Sequence, residues 1–492
     1  MFNKSNSFFF ACLLSILNTQ AQNCTYTIRG SVIDEGTQLP LSFVNVFVQE
    51  KSRGAITDDK GNFFIDSLCV EELHIVFSHI GCEQIKVLID LNDDTTLNVA
   101  LTHTVNSLGT VTIKEDRNNL AIQPNLSISR DYIEDNSNKN LAGLIENEAG
   151  VHLIKHGSGI AKPVVHGLYG NRLTIINNGV IQSGQQWGND HSPEIDPLGS
   201  DNISIIKGVN AIEYGGGNLG SAILIDQKRI TSDPHLHGQF NYSYESNGKG
   251  NNLNLRLEKN SSLLAWRING TLKKYGDRNT PDYYLNNTGM EEANLSIQLE
   301  KSFKEKLFIS FYGSTFNTRL GVLRGSHIGN LTDLNDALIK DVPFFTEPDF
   351  SYNIEAPHQL VSHHLGKLKA EYKFNENKKI EIITAGQVND RKEFDIRRGS
   401  RTEKPALSLL QYAFNSEIKY IQFLNREWKL IIGNQNIITD NTNNPATGIL
   451  PLIPDYLSFK SGLFSTLSKI KDKLHFNLGI RYDYEFQDVA TI

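Results

Sequence analysis

Only four cysteines and two methionines occur in 492 residues, and no apolar run reaches the roughly 18 residues that a membrane-spanning helix needs. An excess of basic charge is also missing. Lys and Arg number 48 against 55 Asp and Glu, so the net charge is −7. Nucleic acid, which requires a basic face, is excluded as a partner. No H-E-x-x-H zinc-peptidase signature is present, and no nucleophile elbow frames a serine. The chain therefore reads as a non-enzyme with no resident cofactor, and its length exceeds one ordinary domain.

What is present starts with Lys4, a short apolar core over 8–17, and Thr19-Gln20-Ala21. That is the pattern of a secretory signal peptide, here 1–21. Cys12 would leave with it. An exported setting permits a disulfide among Cys24, Cys69 and Cys82, and the odd count leaves one thiol over. Which two pair is open. Cys69 and Cys82, with His79 between them, could instead hold a metal.

Residues 22–104 alternate in short runs: Ile28 with Val32, Val44 with Val46 and Val48, Phe63 with Ile65, and Leu73 with Ile75 and Phe77. Period-two alternation broken by turns predicts a β-sandwich. Asp58-Asp59-Lys60-Gly61-Asn62 is read as a turn. It is too short for a calcium loop and has no late glutamate in register. A short β-prone segment follows at 105–114.

Residues 115–228 read as a small mixed α/β domain. Leu141, Leu144 and Ile145 share one helical face, with Gly150 as the stop. Apolar runs cut by glycines follow, and Asn178-Gly179 marks a tight turn. From 229 to 492 the texture changes again. Leu253, Leu255 and Leu257 alternate with Asn254 and Arg256, and Trp266, Ile268 and Leu272 alternate with Arg267, Asn269, Thr271 and Lys273. Apolar residues toward lipid and polar residues toward a lumen predict a transmembrane antiparallel β-barrel. Roughly eleven such segments occur, against about 22 strands in plugged transporters. Two unpaired sheet edges in lipid would cost on the order of tens of kcal/mol. A truncated chain is the expectation.

Three blocks carry a family resemblance: "L-x-x-L-I-x-x-x-x-G-V" from Leu141, "G-x-x-G-N-R-x-x-I-I-N-N-G-V" from Gly167, and "I-x-x-I-K-G-x-x-A-I-E-Y-G-G-G-x-x-G-S-A-I" from Ile203. In this order they resemble the plug domain of TonB-dependent outer-membrane receptors. His166 stands where that family commonly has arginine. The segment 22–104 resembles the carboxypeptidase regulatory-like domain that precedes some of these plugs. The resemblance implies an outer-membrane protein in contact with lipid, with its sandwich in the periplasm. It also implies that 105–114 acts as a TonB box. Leu108, Gly109, Thr110, Val111, Thr112 and Ile113 would then pair with a TonB-type energy-coupling protein of the inner membrane.

The stretch Gln185-Gln186-Trp187-Gly188-Asn189-Asp190-His191 resembles the apical plug loop of zinc-uptake members. Asp190 and His191 become implied metal ligands, with Gln185, Gln186 and Trp187 as ligand contacts. His327 and His358, together with Glu347 and Asp349, are the barrel-loop candidates to complete such a site. The expected function is active import of a scarce solute, a metal ion or metal chelate such as zinc or an iron complex. The alternatives are a cobalamin-like, glycan or peptide importer, or a surface receptor that binds or signals without transport.

Overall fold

The computed structural model describes residues 24–51, 53–69, 71–79, 82–102, 126–157, 159–184, 191–218, 221–326, 330–397, 402–425, 427–451, 453–471 and 474–490. The chain divides into two compact units, Met1–Asp116 and Arg117–Ile492. The expected signal peptide and the segment Leu108 to Ile113 lie outside the described residues.

In the first unit the alternating runs form two sheets. One joins Tyr26–Asp34 to Asn62–Leu68 and to the short strands Thr95–Thr96 and Val99–Leu101; the other is ordered Arg53–Ile56, Asn45–Val48, Glu71–Ser78, Ile85–Leu91. Ile28, Val32, Val46, Val48, Phe63, Leu73, Ile75 and Phe77 turn inward to one core. The open cysteine pairing resolves as Cys24–Cys69. This removes Cys69 as a metal ligand. The Cys82 sulfur lies 3.5 Å from His79 Nδ1, and burial, aided by Asp34, raises its pKa. The acidic turn is a turn: Asp58 accepts from the backbone N–H groups of Lys60 at 2.9 Å and Asn62 at 2.8 Å.

The second unit contains a five-stranded mixed sheet ordered Val180–Ile181, Leu173–Asn177, Ser221–Asp226, Asn202–Lys207, Leu126–Ser129. Its helix Leu141–Ile145 starts where Asn140 Oδ1 accepts from Gly143 N at 2.9 Å, supplying one of the acceptors a helix N-terminus lacks. The helix ends earlier than the Gly150 stop suggested. Gly150, at φ +79°, turns the chain into the hairpin Val151–His156/Ile160–Val165. Asn178 and Gly179 both adopt positive φ, +50° and +79°. This is the primed geometry that the twist of a two-residue hairpin demands.

Beyond His237 the chain builds eleven antiparallel strands, each paired with the next, from His237–Glu245 to Leu474–Ala490. Burial is inverted relative to a soluble fold. Arg267, Asn269 and Thr271 are 3%, 1% and 0% exposed, whereas Ile268 and Leu272 are 38% and 56% exposed. Among the described residues the two outermost strands pair on one side only, so the barrel is partial. Its inward face meets the plug domain in paired charges. Asp201 lies 2.6 Å from Arg256 and 3.3 Å from Arg267. Lys367 Nζ donates to Asn178 O at 2.7 Å, and Thr466 Oγ1 donates to Glu213 at 2.9 Å.

Candidate functional site

Alternation along the strands sets what reaches the lumen. On Lys378–Phe394, the side chains of Gln387, Asn389 and Arg391 point inward and are at most 2% exposed. Glu393 continues that parity at the strand end, where the chain enters the long connection toward Leu407. Opposite them the plug presents the extended segment 191–196, whose backbone is held where Gln182 Nε2 donates to Glu194 O at 3.2 Å.

Glu194 is the hub. Its carboxylate accepts from Arg391 and from Asn389, and His363 Nδ1 lies 3.3 Å away. His363 Nε2 in turn sits 3.2 Å from Gln387 Oε1, which also accepts from Ser183 N at 3.1 Å. Burial alone would push the Glu194 carboxyl up. Arg391 and His363 outweigh it and hold the group below its ordinary range, the expected result when charge-assisted hydrogen bonds favour the ionised form. Two residues on, burial wins at Asp196 against the opposing Lys273, and its pKa is raised.

The structure brings His191 and His358 toward one feature. His191 Nε2 lies 2.6 Å from Glu393 Oε1, with the His191 side chain 9% exposed. His358 opens its strand and stacks on Phe394, ring centres 4.4 Å apart. His358, Glu393, Phe394 and Asp395 line a cavity of about 470 Å³, closed on the plug side by His156 and Gly159. Imidazoles and carboxylates on one wall suit the polar rim of a small chelate, although among the described residues no three such side chains form a group that could hold a metal ion by itself. Gln185, Gln186, Trp187, Asp190 and His327 lie outside the described residues. Glu347 and Asp349 are tied through backbone atoms to Asn286, at 2.7 and 3.3 Å, and the cavity is formed without them.

Glu194, Asn389, Arg391 and Glu393 were not singled out from the sequence, and His363 stood out only as one of the histidines between Arg319 and Gly366. The sequence carried only a general signal: four polar residues share one parity from 387 to 393, as on any lumen-facing wall.

The two domains match two family models. Residues 28–113 match the CarboxypepD_reg-like domain and residues 120–222 match the TonB-dependent Receptor Plug Domain. The chain thus carries the plug domain of TonB-dependent receptors behind a CarboxypepD_reg-like domain. Solved receptors share the fold of plug and strands. The copper transporter OprC is 15% identical with a TM-score of 0.55, over 71% of this chain and 52% of that one. FpvA of P. aeruginosa, solved with a ferric pyoverdine, is 13% identical with a TM-score of 0.56, over 74% and 52%. The ferric citrate transporter FecA is 12% identical with a TM-score of 0.55, over 74% and 57%. The chain thus spans little more than half the length of the solved receptors it matches.

Proposed function

We propose that this receptor imports a metal ion or a small metal chelate across the outer membrane, driven through the segment Leu108 to Ile113 by an inner-membrane coupling protein. The observation that carries the substrate class is the His191–Glu393 pair beside a cavity that also holds His156, His358 and Asp395. Neutral imidazole with carboxylate oxygen suits zinc and its first-row neighbours. Asp190, next to His191, is the further donor the reading requires. The copper, ferric citrate and ferric pyoverdine cargoes of the structurally similar receptors support the same class.

A chelate rather than a bare ion is favoured by the outer loops. Lys249 Nζ sits 4.1 Å above the Phe350 ring, and Tyr352 meets that ring edge-on at 4.9 Å. The Lys249 ammonium held over that ring supplies a fixed positive charge for an anionic ligand. Calorimetry with zinc chloride, and separately with a ferric chelate, tests the reading in the wild type and in Asp190→Ala/His191→Ala. The double variant should lose the outer zinc equivalent. Unchanged affinity for both probes would remove the metal assignment.

A further inference from the structure

Between the plug and the first barrel strand lies Asp233-Pro234-His235-Leu236-His237. The acid and the two imidazoles occupy alternate positions, and the chain bends at His235, where Asp233 caps the backbone. His237 opens the strand His237–Glu245. It shares parity with Gln239, whose Nε2 donates to Glu134 of the plug at 2.5 Å, and with Ser243, 3.1 Å from Ser137. That side is the lumen.

The three side chains already meet. Asp233 Oδ1 accepts from His235 N at 2.9 Å and lies 2.7 Å from His235 Nδ1. Asp233 Oδ2 lies 3.0 Å from His237 Nε2. Asn260 N donates to Asp233 O at 3.3 Å and pins the backbone to the neighbouring strand.

We propose that Asp233, His235 and His237 form a second divalent-cation site on the inner rim of the lumen, taking zinc or a similar first-row ion through two imidazole nitrogens and one carboxylate oxygen. Water completes the coordination sphere. The cation replaces the two N···O contacts, and each neutral imidazole shifts its proton from the nitrogen that faced Asp233 to the other one. Among the described residues no three such side chains stand in a ready coordination sphere, so side-chain rotation must close the site. The exposure of 82% for His235, 50% for His237 and 42% for Asp233 leaves that rotation open. Glu258, the cross-strand partner of His237, is engaged by Arg267 at 2.6 Å and is not a ligand.

The site is separate from the outer cavity. Strand register runs from His237 through Arg267 and Lys367 to Ala385, which places Glu393 about 27 Å further along its strand. His237 also lies at the end where the strands join by short turns. An ion released from the plug on that side would meet these ligands on leaving.

The test uses the full chain folded in detergent. Zinc chloride is titrated by calorimetry into the wild type, His191→Ala, His235→Ala/His237→Ala and the gentler His235→Gln/His237→Gln. Circular dichroism confirms that each variant is folded. Both double variants should lose one zinc equivalent that His191→Ala retains, and Asp233→Asn should weaken it. Copper(II) loading supplies an independent readout: two-nitrogen hyperfine structure in the wild type that the double variants lack. Unchanged stoichiometry and an unchanged copper spectrum in the folded double variants would overturn the site. It does not rest on the import reading, because loss of transport with this equivalent intact would count against import alone.

Discussion

Glu194 and Asp196 stand two residues apart on one plug segment, and the barrel wall treats them oppositely. Glu194 is ionised because Arg391 and His363 surround it. Glu194→Ala would leave the buried Arg391 guanidinium with only the more distant Glu393 carboxylate at 3.5 Å, a change worth up to about 3–5 kcal/mol locally. Hydrogen exchange should therefore accelerate over residues 191–196. The pH dependence follows from the signs. A depressed carboxyl stabilises the fold above its unfolded pKa of about 4.3, and that gain is lost as pH falls through the lower native value. Asp196 is raised by burial, so its contribution falls as pH rises above about 3.9 toward the native value. Asp196→Asn keeps an oxygen for Leu198 N, now 3.1 Å from Asp196 Oδ1. It should raise the thermal midpoint at neutral pH and leave it unchanged near pH 3.

Among the elements, the sandwich depends on a cross-link and the barrel on a lipid-facing stripe. Cys24–Cys69 closes a separation of 45 residues, for which loop entropy gives about 4 kcal/mol. Cys24→Ser/Cys69→Ser should lower the sandwich's denaturant midpoint accordingly, with the m-value rising as the unfolded chain opens. On the strand Ala265–Tyr275, Leu272 points out and Thr271 in. Leu272→Arg near the bilayer midplane would cost about 2–4 kcal/mol. Refolding into lipid vesicles should show that loss. The same substitution at a loop site such as Leu450, already 74% exposed, should show little.

For the whole molecule, plug and wall are held by sorted charge. Plug acids Glu194 and Asp201 meet barrel arginines, and Glu213 faces Lys419 and Lys429 as its nearest opposing charges. A stopper held by such contacts needs work to move, consistent with an energy-coupled importer. Deleting 108–113 should abolish uptake of a radiolabelled substrate yet leave surface binding intact. Equal loss of both would point to a folding role for that segment instead.

Periodicity is a local property, so the chain by itself determined the sandwich strands, the Asn178-Gly179 hairpin and the inside-out alternation of the barrel. Each needs only neighbours in sequence and the pleat of a strand. The family resemblance also marked His191. What it could not supply was His191's partner: Glu393 is 202 residues away, and nothing in either segment names the other. The Cys24–Cys69 pairing and the Glu194–His363–Arg391 cluster have the same character. Strand register and the seating of the plug against the wall decide which distant side chains share a few ångströms, and only the folded chain fixes both.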